Sequence, residues 1–200
     1  MTEPHNHLSL VLEKIDEANA LDPNQEACPS SEQLVAKELL YGQRMSEQLS
    51  LFAPEASEHL QIAARAQHIE RWKSPRSDYP EGRAGYKKWR AELSLFHANR
   101  VVELMMEVGY AEDACERVKF LVQKRQLRQD AETQTLEDVI CLVFLQYYLA
   151  DFTAKHQEEK LIDVIQKTWK KMSDTGHQAA LKLPLPQDLL SLVTKALGTA

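Results

Sequence analysis

The segment from Gln67 to Arg90, QHIERWKSPRSDYPEGRAGYKKWR, places one histidine, two tryptophans, two tyrosines and seven basic residues within twenty-four positions. Arginine forks hold phosphate or carboxylate oxygens through paired, charge-assisted hydrogen bonds, and aromatic rings stack on planar ligands. Arg71, Arg76, Arg83 and Arg90 are therefore expected to bind an anionic substrate, with Trp72 and Tyr79 stacked on it or covering it. The plainer account is an arginine-rich helix flank paired with glutamates elsewhere and Trp89 in the core. The whole chain carries 24 Lys and Arg against 30 Asp and Glu, a net charge of -6, so any nucleic-acid role has to be local. A small phosphate-bearing or nucleotide-like molecule is the expected partner, and an RNA phosphate the secondary one.

Two of the seven histidines stand in sequence that must be buried. His68 ends the small-residue run IAARAQH, and His97 follows Leu93 and Phe96 in LSLFHANRVVELM. With Asp138, expected at the mouth of a buried helix, they would form a set of two imidazoles and one carboxylate. Such a set suits a divalent iron, manganese or zinc ion with open positions. Gln67 and Glu137 stand beside two of these three and are the expected catalytic helpers. They would orient a ligand or accept the proton of a metal-bound water whose pKa the ion lowers. Phosphoester hydrolysis is the leading reaction, and oxygen chemistry on iron would use the same ligands. The alternative is a pair of core histidines, each satisfied by one hydrogen bond.

The elements that must position these residues read as helices. Leu8, Leu12 and Ile15 mark a first helix from His7 to Leu21, stopped by Asp22-Pro23. Ser30 and Gln33 make a capping box for a second that runs to Pro54, and a third covers Glu55 to Glu70. After a loop near Lys73 to Gly82, Ala84 to Val108 is helical up to Gly109, and Glu112 to Lys124 follows. Thr135 and Asp138 form a second capping box before the all-apolar VICLVFL. Leu161 to Met172 is amphipathic and is closed by Gly176, and a last short helix follows Pro184 and Pro186. The expectation is an all-α protein, one domain of seven or eight helices over residues 1–200. Cys28, Cys115 and Cys141 lack a metal or disulfide spacing, no apolar leader opens the chain, and Val139 to Leu145 is too short to span a bilayer. A cytoplasmic protein with no membrane partner is expected.

IAARAQHIERW, LFHANRVVELMMEVG and LEDVICLVFL resemble, in that order, the helices of the HD superfamily of metal-dependent phosphohydrolases. The resemblance implies a degenerate HD-like domain with His97 and Asp138 as later ligands. The expected His-Asp pair reads Gln67-His68 here, and two further histidine positions fall near Arg44 and Lys124. Cations there repel a metal unless a substrate phosphate lies between them. The site then holds one metal, or has exchanged metal for Arg44 and Lys124 in a metal-free anion site. Lys124 belongs to it only if it lies near His97. At closer range KELLYGQRM, ARAQHIERW, PRSDYPEGRAGYKKWR, LEDVICLVFL and KTWKKMS are together similar to an uncharacterised family, domain of unknown function 4202. That family brings no established activity. KMS at Lys171 to Ser173 and HI at His68 also resemble pieces of the HIGH and KMSKS signatures of class I aminoacyl-tRNA synthetases. HIGH reads HIER here, the second lysine is absent, and no βαβ pattern accompanies them.

Overall fold

A computed structural model describes residues 7–28 and 33–198. The fold is all-α, with ten α-helices and one small antiparallel hairpin among the described residues. Helix α1 (His7–Ala20) buries Ile15 completely, as expected, together with Val11, while Leu8 and Leu12 pack beside them only half-buried, and it ends before Pro23. The chain then departs from expectation. Strands β1 (Gln25–Ala27) and β2 (Leu34–Ala36) pair with Gln25 opposite Ala36, and helix α2 (Lys37–Phe52) starts only after them. Ser30 of the expected capping box lies outside the described residues, and Gln33 precedes the strand. The Asp22 carboxylate replaces that box by accepting from the Glu38 backbone N–H at 3.1 Å.

Helix α3 (Glu58–Arg65) is capped by Ser57 and stops well short of Glu70. Helix α4 (Gly82–Val108) runs to Gly109, whose φ of 101° closes it as expected. Helix α5 (Glu112–Val122) follows after a short turn and packs against it. Helix α6 (Ala131–Val143) opens four residues before the expected Thr135, because Asp130 accepts from the Thr133 N–H at 2.8 Å and caps it. Glu137 and Asp138 consequently sit mid-helix, both about 2 % exposed, and not at a mouth.

One π-helical turn, Phe144–Tyr148, joins α6 to α7 (Leu149–Thr153). Helix α8 (Glu158–Trp169) follows, then α9 (Asp174–Ala180) and α10 (Gln187–Leu197), the last beginning after Pro186 as its prolines suggest. The count exceeds eight because α7 continues the buried run beyond the π-turn and α9 is separate from α8. Gly176 does not close α8. It lies inside α9, where a Cβ would stand 2.6 Å from Asp138 Oδ1, so its smallness serves a close approach to α6.

Two apolar clusters meet along α6. One gathers Ile15, Met45, Ile62, Val101, Leu121 and Leu136 from the first six helices. The other gathers Leu142, Leu145, Ile165, Met172 and Val193 from the later ones. No helix among the described residues is long and apolar enough to cross a membrane.

Candidate functional site

A cavity of about 710 Å³ lies where the two apolar clusters meet, walled by α2, the turn after α3, α4, the end of α5, α6, the π-turn and α8. Its polar wall carries five cationic side chains, Lys37, Arg71, Arg90, Lys124 and Lys171, against two carboxylates, Glu38 and Glu137. Leu93, Val122, Ile140, Phe144 and Val164 supply an apolar side. A cation excess inside a chain of net charge -6 is a local construction, not a consequence of composition.

His68 is positioned by a turn that breaks α3 early. Glu70 takes a left-handed conformation at φ 50°, its N–H bonds the Asn19 side chain at 2.9 Å, and its buried carboxylate pairs with Arg100 at 3.0 Å. Non-glycine residues adopt that conformation at a cost of roughly 1 kcal/mol, so the contacts at both ends of Glu70 hold the turn in place. His68 stacks on Tyr41 with ring centroids 3.9 Å apart. Arg71 Nη1 donates to His68 Nε2 at 2.8 Å. Arginine cannot accept, so the ring proton sits on Nδ1 and faces Glu38 Oε2 at 3.3 Å. Burial, then the Arg71 charge, hold His68 neutral by lowering its pKa well below the ordinary range. Burial also pushes the Glu38 carboxyl up to about 7, against the pull of Arg71.

His97 comes from the middle of α4, its ring centroid 6.1 Å from that of His68. Its Nδ1 lies 2.7 Å from the Ile69 carbonyl, which can only accept, so Nδ1 carries the proton and Nε2 is a bare lone pair. Burial lowers its pKa to about 3 even though the Ile69 bond works the other way. Gln67 donates through Nε2 to the Val122 carbonyl at 3.5 Å, a long bond, leaving Oε1 inward.

Lys124 reaches the cavity from the end of α5. Its N–H bonds the Leu121 carbonyl at 2.8 Å and the next N–H bonds Phe120 at 3.1 Å, the hydrogen-bond pattern in which glycine usually takes the left-handed place. Lys124 occupies that place at φ 54°, and its ammonium stands 2.9 Å from Glu137 Oε2. Lys171, after α8, holds the other oxygen at 3.2 Å. Burial alone would raise the Glu137 pKa, but Lys124 and then Lys171 bring it below the ordinary value. Burial lowers that of Lys124, against Glu137.

Two buried side-chain polar atoms of the cavity, Gln67 Oε1 and His97 Nε2, lack any partner among the described residues, and a third, Glu137 Oε2, is met only by the Lys124 ammonium at 2.9 Å. All three belong to residues of this cavity. Orphaned buried groups are rare, and their concentration in one place singles this cavity out as the candidate site.

Of the residues expected from sequence, the cavity thus brings together Gln67, His68, Arg71, Arg90, His97, Lys124 and Glu137. Lys124 and His97 line the same cavity. Asp138 does not join them. Adjacent helical residues project about 100° apart, and Asp138 turns to α9, accepting from Ser173 N–H at 2.8 Å and Ser173 Oγ at 2.6 Å. Arg44 is also placed elsewhere, bonded to Glu26 and, at 2.9 Å, to the Tyr148 hydroxyl. Arg76 ties its own loop by donating to the Tyr79 and Pro80 carbonyls at 2.8 and 2.9 Å. The Tyr79 hydroxyl donates to Glu92 at 2.8 Å, and neither Arg83 nor Trp72 lines the cavity. Trp89 is core, bonded to the Ser74 carbonyl at 2.9 Å, with Arg71 over its ring.

The divalent metal implied by the sequence does not fit these residues. Both nitrogens of His68 are engaged, Asp138 is bound to α9, and five cations face the space a metal would need. No group of three or more His, Cys, Asp or Glu among the described residues is placed to hold one. Sequence reading missed Glu38, Tyr41 and Lys171. Glu38 and Tyr41 lie in KELLYGQRM and Lys171 in KTWKKMS, segments singled out only for their resemblance.

The fold and cavity define an all-α protein with a cationic, half-apolar internal pocket. A family model for a domain of unknown function, DUF4202, matches residues 9–193, and the chain belongs to that family. No curated protein and no solved structure matches it at a significant level.

Proposed function

We propose that the cavity binds a small anionic molecule, phosphate-bearing or nucleotide-like, and neutralises it with protein cations in place of a metal. The observation that carries this reading is the wall of five cations against two carboxylates in a chain of net charge -6. Arg71 and Lys124 lie inside it, while Arg90, Lys37 and Lys171 are exposed and flank it, an arrangement that attracts an anion and then desolvates it. Phe144, Ile140 and Val164 favour a ligand with an apolar or planar part beside its charge. An RNA backbone fits less well, because Arg71 and Lys124 face inward.

Catalysis is the second reading, supported by Glu38. A carboxyl that titrates near neutrality beside a neutral imidazole suits proton transfer to and from a bound substrate. Calorimetric titration of chelator-treated protein with inorganic phosphate, pyrophosphate and adenosine monophosphate tests the binding. At least one is expected to saturate the protein, and Arg71→Gln is expected to weaken it by roughly ten- to a hundredfold, the worth of one charge-assisted hydrogen bond. Binding that appears only after iron, manganese or zinc is added would restore the metal reading. No binding of any of the three would overturn the proposal.

A further inference from the structure

These three buried atoms share one property. Gln67 Oε1, His97 Nε2 and Glu137 Oε2 are all acceptors. The assignment follows from their partners: the Val122 and Ile69 carbonyls each demand a donor, which fixes the amide orientation of Gln67 and the tautomer of His97. A carboxylate or a fully ionised phosphate group is an acceptor only, so it pairs with Arg71 and Lys124 and leaves Gln67 Oε1 and His97 Nε2 unmet. The cations and the orphaned acceptors therefore ask for different chemistry from one molecule.

We infer that the ligand carries its anionic group on a skeleton that also bears hydrogen-bond donors, hydroxyl or amino groups, which meet Gln67 Oε1 and His97 Nε2. This rests on the reading of the cavity as an anion site and narrows it to a class: hydroxylated or aminated phosphates and carboxylates, as against simple anions. Gln67 and His97 are 6 % and 3 % exposed, so a ligand lacking donors would bury both acceptors unpaired, and that penalty is what gives the site its selectivity.

A matched pair of probes isolates the donors. Glycerol 3-phosphate and propyl phosphate share charge and carbon count and differ by two hydroxyl groups. Calorimetry on the full chain is expected to show glycerol 3-phosphate bound at least about tenfold more tightly, one well-made hydrogen bond being enough for that factor. Gln67→Met is expected to cut the ratio several-fold, by weakening glycerol 3-phosphate more than propyl phosphate. It gives up only the long bond to Val122, whereas His97→Phe would also orphan the Ile69 carbonyl and threaten folding. Equal affinities in the wild type, with both probes bound, would overturn this inference and leave the anion site standing, its orphaned acceptors served by water. Failure of both probes and of inorganic phosphate would remove the anion site itself, and this inference with it.

Discussion

Two polar clusters built on α6 differ in how completely they close. At the start of the helix, Arg117 donates to both oxygens of Asp130 at 2.9 and 3.0 Å and to Glu132 at 3.1 Å; Thr133 and Ser57 supply the remaining donors. None of its atoms is among the buried orphans. Two turns later, the cluster around Glu137, Gln67 and His97 leaves Gln67 Oε1 and His97 Nε2 open and has Lys124, which meets Glu137 Oε2, in a conformation that glycine prefers. Structural polar groups saturate one another because an unmet one costs about 1–3 kcal/mol. On the proposed reading, a cluster left open at such a cost is completed by the bound anion.

If that distinction holds, damage to closed clusters lowers stability and spares the anion, while damage to the open one does the reverse. The largest effect is expected at Asp138, which belongs to the closed class although its neighbour Glu137 does not. Asp138→Ala removes the acceptor for two Ser173 donors and loosens α9 against α6, at a cost of about 3 kcal/mol in urea unfolding. Phosphate affinity of the folded protein should stay within twofold. A large affinity loss with intact stability would return Asp138 to the functional set.

Next in size is the Arg117 cluster. The Arg117 hydrogen bonds hold the Asp130 pKa down to about 2 against burial, which works the other way. A carboxylate with a depressed folded pKa adds stability that is full above its unfolded value near 4 and disappears as pH falls through the folded value. Arg117→Met should therefore cost roughly 2 kcal/mol at neutral pH and much less near pH 2. A pH-independent loss would mean that packing, not charge, is what Arg117 provides.

The contrast also explains what was legible beforehand. Helix α1, the stop at Gly109 and the helix after Pro186 each rest on local signals, so sequence sufficed. The hairpin was hidden because three-residue strands carry no period, and its pairing depends on residues seven to eleven apart. Asp130 is itself a cap-forming residue type, but the Thr135–Asp138 spacing just before the apolar VICLVFL points to a later start. Seven of the residues lining the cavity, among them His68, His97, Arg71 and Lys124, are legible through their chemistry-bearing types. Glu38 and Lys171 are not, since a carboxylate or lysine in an amphipathic helix reads as solvated until tertiary contacts bury or recruit it. The choice between Glu137 and Asp138 was beyond sequence altogether, because it depends on how α6 is rotated against α9.

Inside the open cluster, Glu38 offers a smaller, directional effect. Its folded pKa is raised to about 7 from an ordinary 4.5, so the folded state holds the proton more tightly than the unfolded one. Stability from this group is greatest below pH 4.5, falls as pH rises and levels off above about 7. The same titration places a negative charge in the cavity wall. Affinity for sulfate, which does not titrate in this range, should rise several-fold between pH 8 and pH 6, and Glu38→Gln should flatten the rise. A profile unchanged in that variant would assign the pH response to another group.

The smallest effect belongs to Lys171, whose side chain is 56 % exposed although it touches buried Glu137. Exposed charges are screened by salt, so Lys171→Ala should weaken phosphate binding only about threefold at low ionic strength, and less in physiological salt. Stability should barely change, because Lys124 still pairs with Glu137 from the inner side. Lys124→Met reverses the balance: it removes the inner partner, leaves a buried carboxylate to Lys171 alone, and should lower both stability and affinity by more. Were the two lysines to behave alike, the cavity would have no inner and outer shell of charge. The anion would then be held at the mouth, too far out for Gln67 and His97 to meet it.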